Sequence, residues 1–296
     1  MAQIREIKKR IGAVKTISRI TKTMQMIATA KFTSALQRAE SSKPYAACID
    51  DMVRQAATAA DEYESKLISG PDQKVGKELV LVICSDRGLC GAYNGTVLRT
   101  ALNYIRSLKN DGTEYDLEVA GKKGLGYFKF QHIHVSGRHD IGDKPSYEDV
   151  GALAADYIER YMSGEYDAIR IISMRFVSTS RQVAEIKQLL PMAETTEVGE
   201  ADEEKKSSGY QAYYDFLPSA RELLDELLPL TVKTALLQAF NEAVVSEQIM
   251  RMIAMKAATE NAKDFGSTLR RLFNRARQGQ ITTELTEIVS GAAALE

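Results

Sequence analysis

The chain has 296 residues, enough for one or two domains, with 44% hydrophobic residues, no Trp and a formal net charge of −1. So even a balance gives no global case for a nucleic-acid binder or for an acidic substrate. The three cysteines, Cys48, Cys84 and Cys90, are odd in number and poorly spaced for a disulfide framework or a zinc site, which favours reduced thiols.

The opening MAQIREIKKR is basic, has no apolar stretch or cleavage site, and runs straight into a helical pattern, so it is not expected to be a secretory signal. From Ile4 to about Ala60 the spacing predicts a long helix. Ile4, Ile7, Ile11, Val14, Ile17, Ile20, Met24 and Ile27 form a narrow heptad-like stripe with a stammer between Val14 and Ile20. One stripe suits pairing with one other helix. Arg5, Lys8, Lys9, Arg10, Lys15, Arg19, Lys22 and Lys31 make the rest of this helix basic. That face is either solvated or met by acidic partner loops or nucleic acid. Pro44 is expected to kink the helix or to start a new one.

Gly70-Pro71-Asp72 ends this texture. Glu78 to Cys84 is a short continuous apolar run, the pattern of a strand buried on both faces. Further strands are expected at Asp116–Ala120, His132–Ser136, Ala168–Val177 and, at an edge, Gln182–Pro191. Helices are expected between them at about Ala92–Lys109, Lys122–Phe130 and Tyr147–Ser163. This alternation predicts an open, Rossmann-like five-stranded α/β sheet. Glu194–Ser208 is acidic and unpatterned and reads as a loop. Tyr210–Leu217 is aromatic and strand-like.

Pro218-Ser219 opens the closing helix, and Pro229 is expected to break or kink it. From about Leu230 to Glu296 apolar residues recur at helical spacing, among them Leu236, Phe240, Val244, Ile253, Leu269, Leu272, Ile281, Leu285 and Ile288. About 60 such residues would rise roughly 90 Å, more than the rest of the chain can cover. The fold class is therefore an α/β sheet inserted between N- and C-terminal helices that form a long antiparallel coiled coil. Its sequence divisions are an N-terminal arm (1–70), an α/β foot (71–209) and a C-terminal arm (210–296). The longest apolar runs fall short of the about 20 residues that span a bilayer, so any membrane link is expected to go through a partner.

The motifs that resemble chemistry are weak. Ser85-Asp86-Arg87-Gly88-Leu89-Cys90-Gly91 lies between a strand and a helix, but it is neither of the glycine patterns that cradle phosphates. Cys90 beside a helix start could have a lowered pKa, yet no His is near it in sequence. His132 and His134 at i, i+2, with His139 after them, lack a companion ligand set. No catalytic or metal-binding constellation stands out.

The two arms and the turn, read together, resemble one family. Ile4-Arg5-Glu6-Ile7, Ile20 to Lys31 and Lys43-Pro44-Tyr45, then Ser85 to Gly91 with Asn94, then Met252 to Ala262, Asn274 to Gln278 and Ile281 to Leu295 are similar, in order and spacing, to the gamma subunit of F-type ATP synthase. The resemblance implies a non-catalytic central rotor shaft, one copy per complex. It would couple proton-driven rotation of a c ring to ATP synthesis, or ATP hydrolysis to proton pumping. The implied partners are the alpha and beta subunits, epsilon and the c ring, with no nucleic acid, and with the membrane met only through them. No cofactor is implied for the chain itself, since ATP, ADP and magnesium would bind alpha and beta.

By position the resemblance implies contacts in the alpha/beta bore for Met24, Arg277, Gln278, Thr282, Glu284, Ile288 and Leu295. It implies contacts of the foot with the c ring and epsilon for Lys43, Tyr45, Tyr214, Asp215 and Phe216. Leu217 stands where the family often has an acidic residue before the proline, with Asp215 two residues earlier. The cysteine-bearing insert of the chloroplast type is not found. The implied location is the cytoplasmic face of a bacterial inner membrane, or else an organelle inner membrane. Two other classes stay open on the residues alone. An α/β nucleotide-binding protein should bind nucleotide by itself. A basic coiled-coil binder of DNA or RNA should show steep salt dependence.

Overall fold

The computed structural model describes residues 2–60, 65–71, 73–192 and 219–293. Two very long helices bracket an α/β sheet: α1 (Ala2–Ala59) and α6 (Ala220–Ala293). Between them lie a one-turn α2 (Lys66–Ser69), β1 (Lys77–Ile83), α3 (Tyr93–Asn110), β2 (Glu114–Ala120), α4 (Lys122–Phe130), β3 (Gly137–His139), α5 (Tyr147–Met162), β4 (Ala168–Phe176) and β5 (Gln182–Leu190). Contacts divide the chain into two compact units: residues 1–30 with 250–296, and residues 31–249.

In the first unit α1 and α6 pair antiparallel. The α1 residues that turn inward are Ile7, Val14, Thr21 and Ala28, seven apart, with Ile4, Ile11, Ser18 and Gln25 half-buried between them. On α6 the inward positions are Met252, Met255, Thr259, Ala262, Gly266, Leu269, Phe273 and Ala276, alternating three and four apart. This is an unbroken heptad repeat on both sides. The expected stammer is absent. Ile17, Ile20 and Ile27 are 51%, 52% and 53% exposed, and smaller Ser18, Thr21 and Ala28 take the seam in their place. Small residues win because two backbones approach closely: a Cβ at Gly266 would already lie 3.6 Å from Val14 Cγ1. Ile253, Leu272, Ile281, Leu285 and Ile288 also lie off the seam, exposed.

In the second unit the sheet order is β3-β2-β1-β4-β5, parallel except for the β4–β5 pair. The continuous apolar run of β1 sits at the centre, where Leu79, Val80, Leu81 and Val82 are fully buried. Each such side chain contributes about 1.5–3 kcal/mol relative to leaving it in water. Leu79, Leu81 and Ile83 share one cluster with Val150, Ala154 and Tyr157 of α5 and with Leu228, Val232, Leu236 and Phe240 of α6. Helix α3 packs across β1, β2, β4 and β5. So the start of α6 is a core helix of the sheet, and Ala35 and Ala39 of α1 pack against Val244 and Val245 beside it.

Three local expectations are corrected. The third strand is Gly137–His139, not His132–Ser136. His132 has φ 55° just beyond α4, so His132 and His134 do not share a strand face. Pro229 does not break α6, which continues through it between the buried Leu228 and Val232. A proline forfeits one helical hydrogen bond, and here core packing on both sides holds the helix together. Pro44 likewise sits inside α1 without ending it. Glu194–Ser208 and Tyr210–Leu217 lie outside the described residues.

Candidate interaction surface

The heptad that closes the first unit determines what that unit offers to others. With the seam on one side, Ile17, Ile20 and Ile27 face out at spacings of three and seven, and Met24 beside them is half-buried. On α6 the outward apolar residues are Ile253, Phe265 and Leu272. Between these stand exposed Arg5, Lys8, Lys9, Lys15, Arg19 and Lys22 of α1 and Arg270, Arg271, Arg275 and Arg277 of α6. Over residues 1–30 and 250–280 there are fourteen Lys and Arg against three Asp and Glu. The chain's near-neutral total hides this strongly basic, apolar-striped surface. Outward apolar residues repeating along two helices mark a surface that is covered in use.

The register fixes where the pair ends. Thr21 meets Thr259 and Val14 lies beside Gly266. Continued at the same offset, Ile7 falls opposite Phe273 and Ala2 opposite Gln278. Residues beyond Gln280 therefore run past the end of α1, and Ile281, Leu285, Ile288 and Val289 are all exposed, Ile288 by 68%. The threonine hydroxyls of this end are turned inward on their own helix. Thr282, Thr283 and Thr286 donate to the carbonyls four residues back, at 3.0, 3.0 and 2.8 Å. Gln280 Nε2 donates to Glu284 Oε1 at 2.7 Å. What is left outward is mostly apolar, with Glu287 and Ser290 among it. Arg277 and Gln278 are exposed, and Arg277 makes no ion pair among the described residues. Leu295 lies outside the described residues.

In the second unit the Ser85–Gly91 turn is a closed knot rather than a cradle. Asn94 Oδ1 accepts from the Ser85 backbone N–H at 3.0 Å, and Asn94 Nδ2 donates to Ser85 Oγ at 2.7 Å and to Cys90 Sγ at 3.3 Å. Asp86 Oδ1 takes the backbone N–H of Lys122 at 3.0 Å, placing a carboxylate where the start of α4 would otherwise attract an anion. Gly121, at φ 101°, passes so close that a Cβ there would sit 2.2 Å from the Cys84 carbonyl oxygen. Burial, followed by the neighbouring Cys90, pushes the Cys84 thiol far above its ordinary range, so it stays protonated at neutral pH. At the tip Leu89 has φ 65° and is 62% exposed, a strained backbone presenting a large apolar side chain outward.

A buried carboxylate cluster ties β2, β3 and α5. Glu118 Oε1 accepts from Arg160 Nη1 at 2.7 Å, and Oε2 accepts from the Tyr157 hydroxyl at 2.7 Å and lies 2.6 Å from His139 Nε2. Burial would raise Glu118, but hydrogen bonds from His139, Arg160 and Tyr157 outweigh it and hold its pKa at about 2. Gly137 leaves room for this side chain, since a Cβ there would be 2.9 Å from Glu118 Cδ. The sequence reading missed Glu118. Its one available signal is a charge in the half of β2 whose other residues are apolar.

Of the residues assigned to the foot, Lys43 and Tyr45 are exposed on α1. Tyr214, Asp215 and Phe216 lie outside the described residues. Among the described residues no helix is long and apolar enough to cross a membrane.

Comparison with known proteins bears on the whole chain. The sequence model of the family described as ATP synthase matches residues 3–295. The ATP synthase gamma chain of Rhodopirellula baltica is 39% identical over 297 residues, covering 100% of both chains. That of Leptospira biflexa is 38% identical over 296 residues, again covering 100% of both. Among solved structures, a chain of the Euglena gracilis mitochondrial ATP synthase OSCP/F1/c-ring in rotational state 3 is 19% identical with a TM-score of 0.65, covering 99% of this chain and 95% of that one. A chain of the Tetrahymena thermophila central stalk/c-ring structure is 20% identical with a TM-score of 0.58, covering 81% of this chain and 99% of that one.

Proposed function

The chain belongs to the ATP synthase gamma-chain family, the non-catalytic central stalk of the rotary enzyme, and on that premise we propose how its two units divide the work. The first unit turns inside a sleeve of alpha and beta subunits. The second unit works with epsilon and the c ring, through Lys43 and Tyr45 and the 210–217 segment that carries Tyr214, Asp215 and Phe216. Rotation driven by proton flow through the ring is passed along α1 and α6, and a shaft without three-fold symmetry sets three beta sites in different states. Coupling is then a difference in interaction free energy between shaft angles. ATP, ADP and magnesium are bound by alpha and beta, not by this chain. Membrane association is peripheral, through the complex. The two gamma chains at 39% and 38% identity are bacterial, which supports the cytoplasmic face of the inner membrane as its place.

The observation that carries this reading is the end of α6. Past Gln280 it has no partner helix among the described residues, its three threonine hydroxyls are satisfied on its own backbone, and Leu285, Ile288 and Val289 face outward. Non-directional apolar contact suits a bearing, because a strong directional bond would favour one angle. At the start of this end Arg277, Gln278, Thr282 and Glu284 supply polar contacts to the bore, and Met24, level with Lys256 farther along the shaft, supplies an apolar one. Ile288 and Leu295 belong to the bearing in this reading, Met24 to the wall contacts of the shaft, and the basic surface faces acidic loops of the sleeve.

Deletion of residues 281–296 tests this. The foot core, centred on β1, should stay folded, and ATP hydrolysis by the assembled alpha-beta complex should lose its coupling to proton pumping in membrane vesicles. Full coupling in the truncated enzyme would remove the bearing from the reading.

A further inference from the structure

We propose that the free chain, before assembly, pairs with a second copy of itself through one side of the first unit. This goes beyond the rotor reading, because it concerns the chain outside the complex. The seam divides the helix pair into two chemically different sides. Lys8, Lys15 and Lys22 of α1 each directly follow a seam residue, and so do Lys263, Arg270 and Arg277 of α6. Lys15, Lys263 and Arg270 line one groove beside Val14 and Gly266, so the following positions of both helices share a side. The residues that directly precede seam positions share the other side. They include Ile17, Ile20 and Ile27 of α1 and Phe265 and Leu272 of α6, each about half exposed. Among these preceding positions none is charged from Ala13 to Ile27 on α1 or from Ala254 to Leu272 on α6.

The charge pattern selects the occupant. An anionic partner would be met by the cationic side, where the lysines and arginines stand. The apolar side offers an anion nothing, and its best match is another uncharged face of the same shape. A second copy supplies one, since a two-fold axis sets identical patches against each other. Four helices then enclose Ile17, Ile20, Ile27, Phe265 and Leu272 of both chains, as in a four-helix bundle. The cationic rows of the two copies fall on opposite outer sides, two helix layers apart and beyond the screening length of about 8 Å at physiological salt. The patch is roughly 25 Å long and two helices wide, so a pair would bury about 1,000 Å² in total. That is the lower bound for a specific interface, and it suits a dimer that comes apart when a sleeve of other subunits takes the same side.

The test is sedimentation equilibrium of the purified full chain, without alpha and beta subunits, at several protein concentrations and at low and high salt. A reversible monomer–dimer equilibrium is expected. The dimer should tighten as salt rises, because salt screens the repulsion between two cationic units. Ile20→Gln with Phe265→Gln should weaken dimerisation at least tenfold, by about that order, while helix content by circular dichroism stays the same. Lys15→Gln with Lys263→Gln, on the other side, should leave the dimer as tight or tighter. Leu285→Gln, at the end of α6, should leave it unchanged. A monomer at every concentration, open-ended aggregation, or an association that tightens as salt falls would overturn the proposal. So would a dimer that survives Ile20→Gln with Phe265→Gln but is lost with Leu285→Gln. Copy number in the assembled complex is a separate measurement, so failure here leaves the rotor reading untouched.

Discussion

Thr21 and Thr259, 238 residues apart in sequence, meet hydroxyl to hydroxyl at 2.8 Å in the buried seam between α1 and α6. The hydroxyls also lie 3.2 Å from the Ser18 carbonyl and 2.7 Å from the Met255 carbonyl. One hydroxyl donates back along its own helix and the other across the seam, so both are satisfied. A buried hydroxyl pair at one layer of the heptad favours this register, because sliding either helix by a turn loses the bond between the two.

This pair gives a double-mutant cycle. Thr21→Val or Thr259→Val alone should destabilise the first unit by about 0.5–1.5 kcal/mol through loss of the hydroxyl–hydroxyl bond. The double variant, with both hydroxyls replaced by methyls, should lose less than the sum of the singles. Denaturant unfolding of the full chain, followed by a probe placed in residues 1–30, measures it. Additive losses would show that the two hydroxyls do not interact.

The outward stripe predicts a separation of stability from assembly. Ile20→Gln with Ile27→Gln removes exposed apolar surface, so the unfolding of the isolated chain should change by less than about 0.5 kcal/mol. Assembly with alpha and beta subunits should fall, as measured by the amount of this chain recovered with tagged beta. Wild-type recovery would mean that this stripe is not covered in the complex.

Two glycines should respond with opposite signs. Gly121→Ala forces a Cβ to 2.2 Å from a backbone carbonyl at a φ of 101° and should destabilise the second unit by more than about 2 kcal/mol. Gly126→Ala, inside α4 with nothing within 4 Å, should be neutral or stabilise by up to about 1 kcal/mol. Thermal unfolding of the two variants side by side decides it.

Glu118 sets an acid limit on the second unit. Its folded pKa is about 2 against an ordinary 4.5, so its contribution is fully present above pH 4.5. That stability is lost as pH falls from 4.5 towards 2, where the carboxylate gains its proton. Glu118→Gln should flatten this stretch of the stability–pH curve. At neutral pH it should cost about 3 kcal/mol, by leaving Arg160 without its buried partner. An unchanged curve in the variant would assign the acid sensitivity to other carboxylates.

The sequence already carries the two long helices and the order of the sheet, for physical reasons. Helix length reads from sustained spacing, and β1 reads from an apolar run too short for a helix. The seam of α1 does not read correctly, because the eye follows hydrophobicity. Ile17, Ile20 and Ile27 outrank Ser18, Thr21 and Ala28, yet close helix approach takes the small residues and turns the large ones out. That inversion is itself the functional signal, since apolar residues left off a completed heptad belong to a surface for others. β3 is only three residues long and is placed by the opening that Gly137 leaves for Glu118, a tertiary fact with no local pattern. The interaction residues at Arg277, Gln278 and Thr282 came from resemblance, and geometry adds that they flank the point where α1 ends.

The most direct test of the shaft is stoichiometry. The chain would be co-expressed with the alpha and beta subunits of its own organism, purified through a tag on beta, and its copy number measured together with ATPase activity. The account predicts one copy per three beta subunits and hydrolysis that depends on its presence. One copy per beta subunit, or no association, would contradict it.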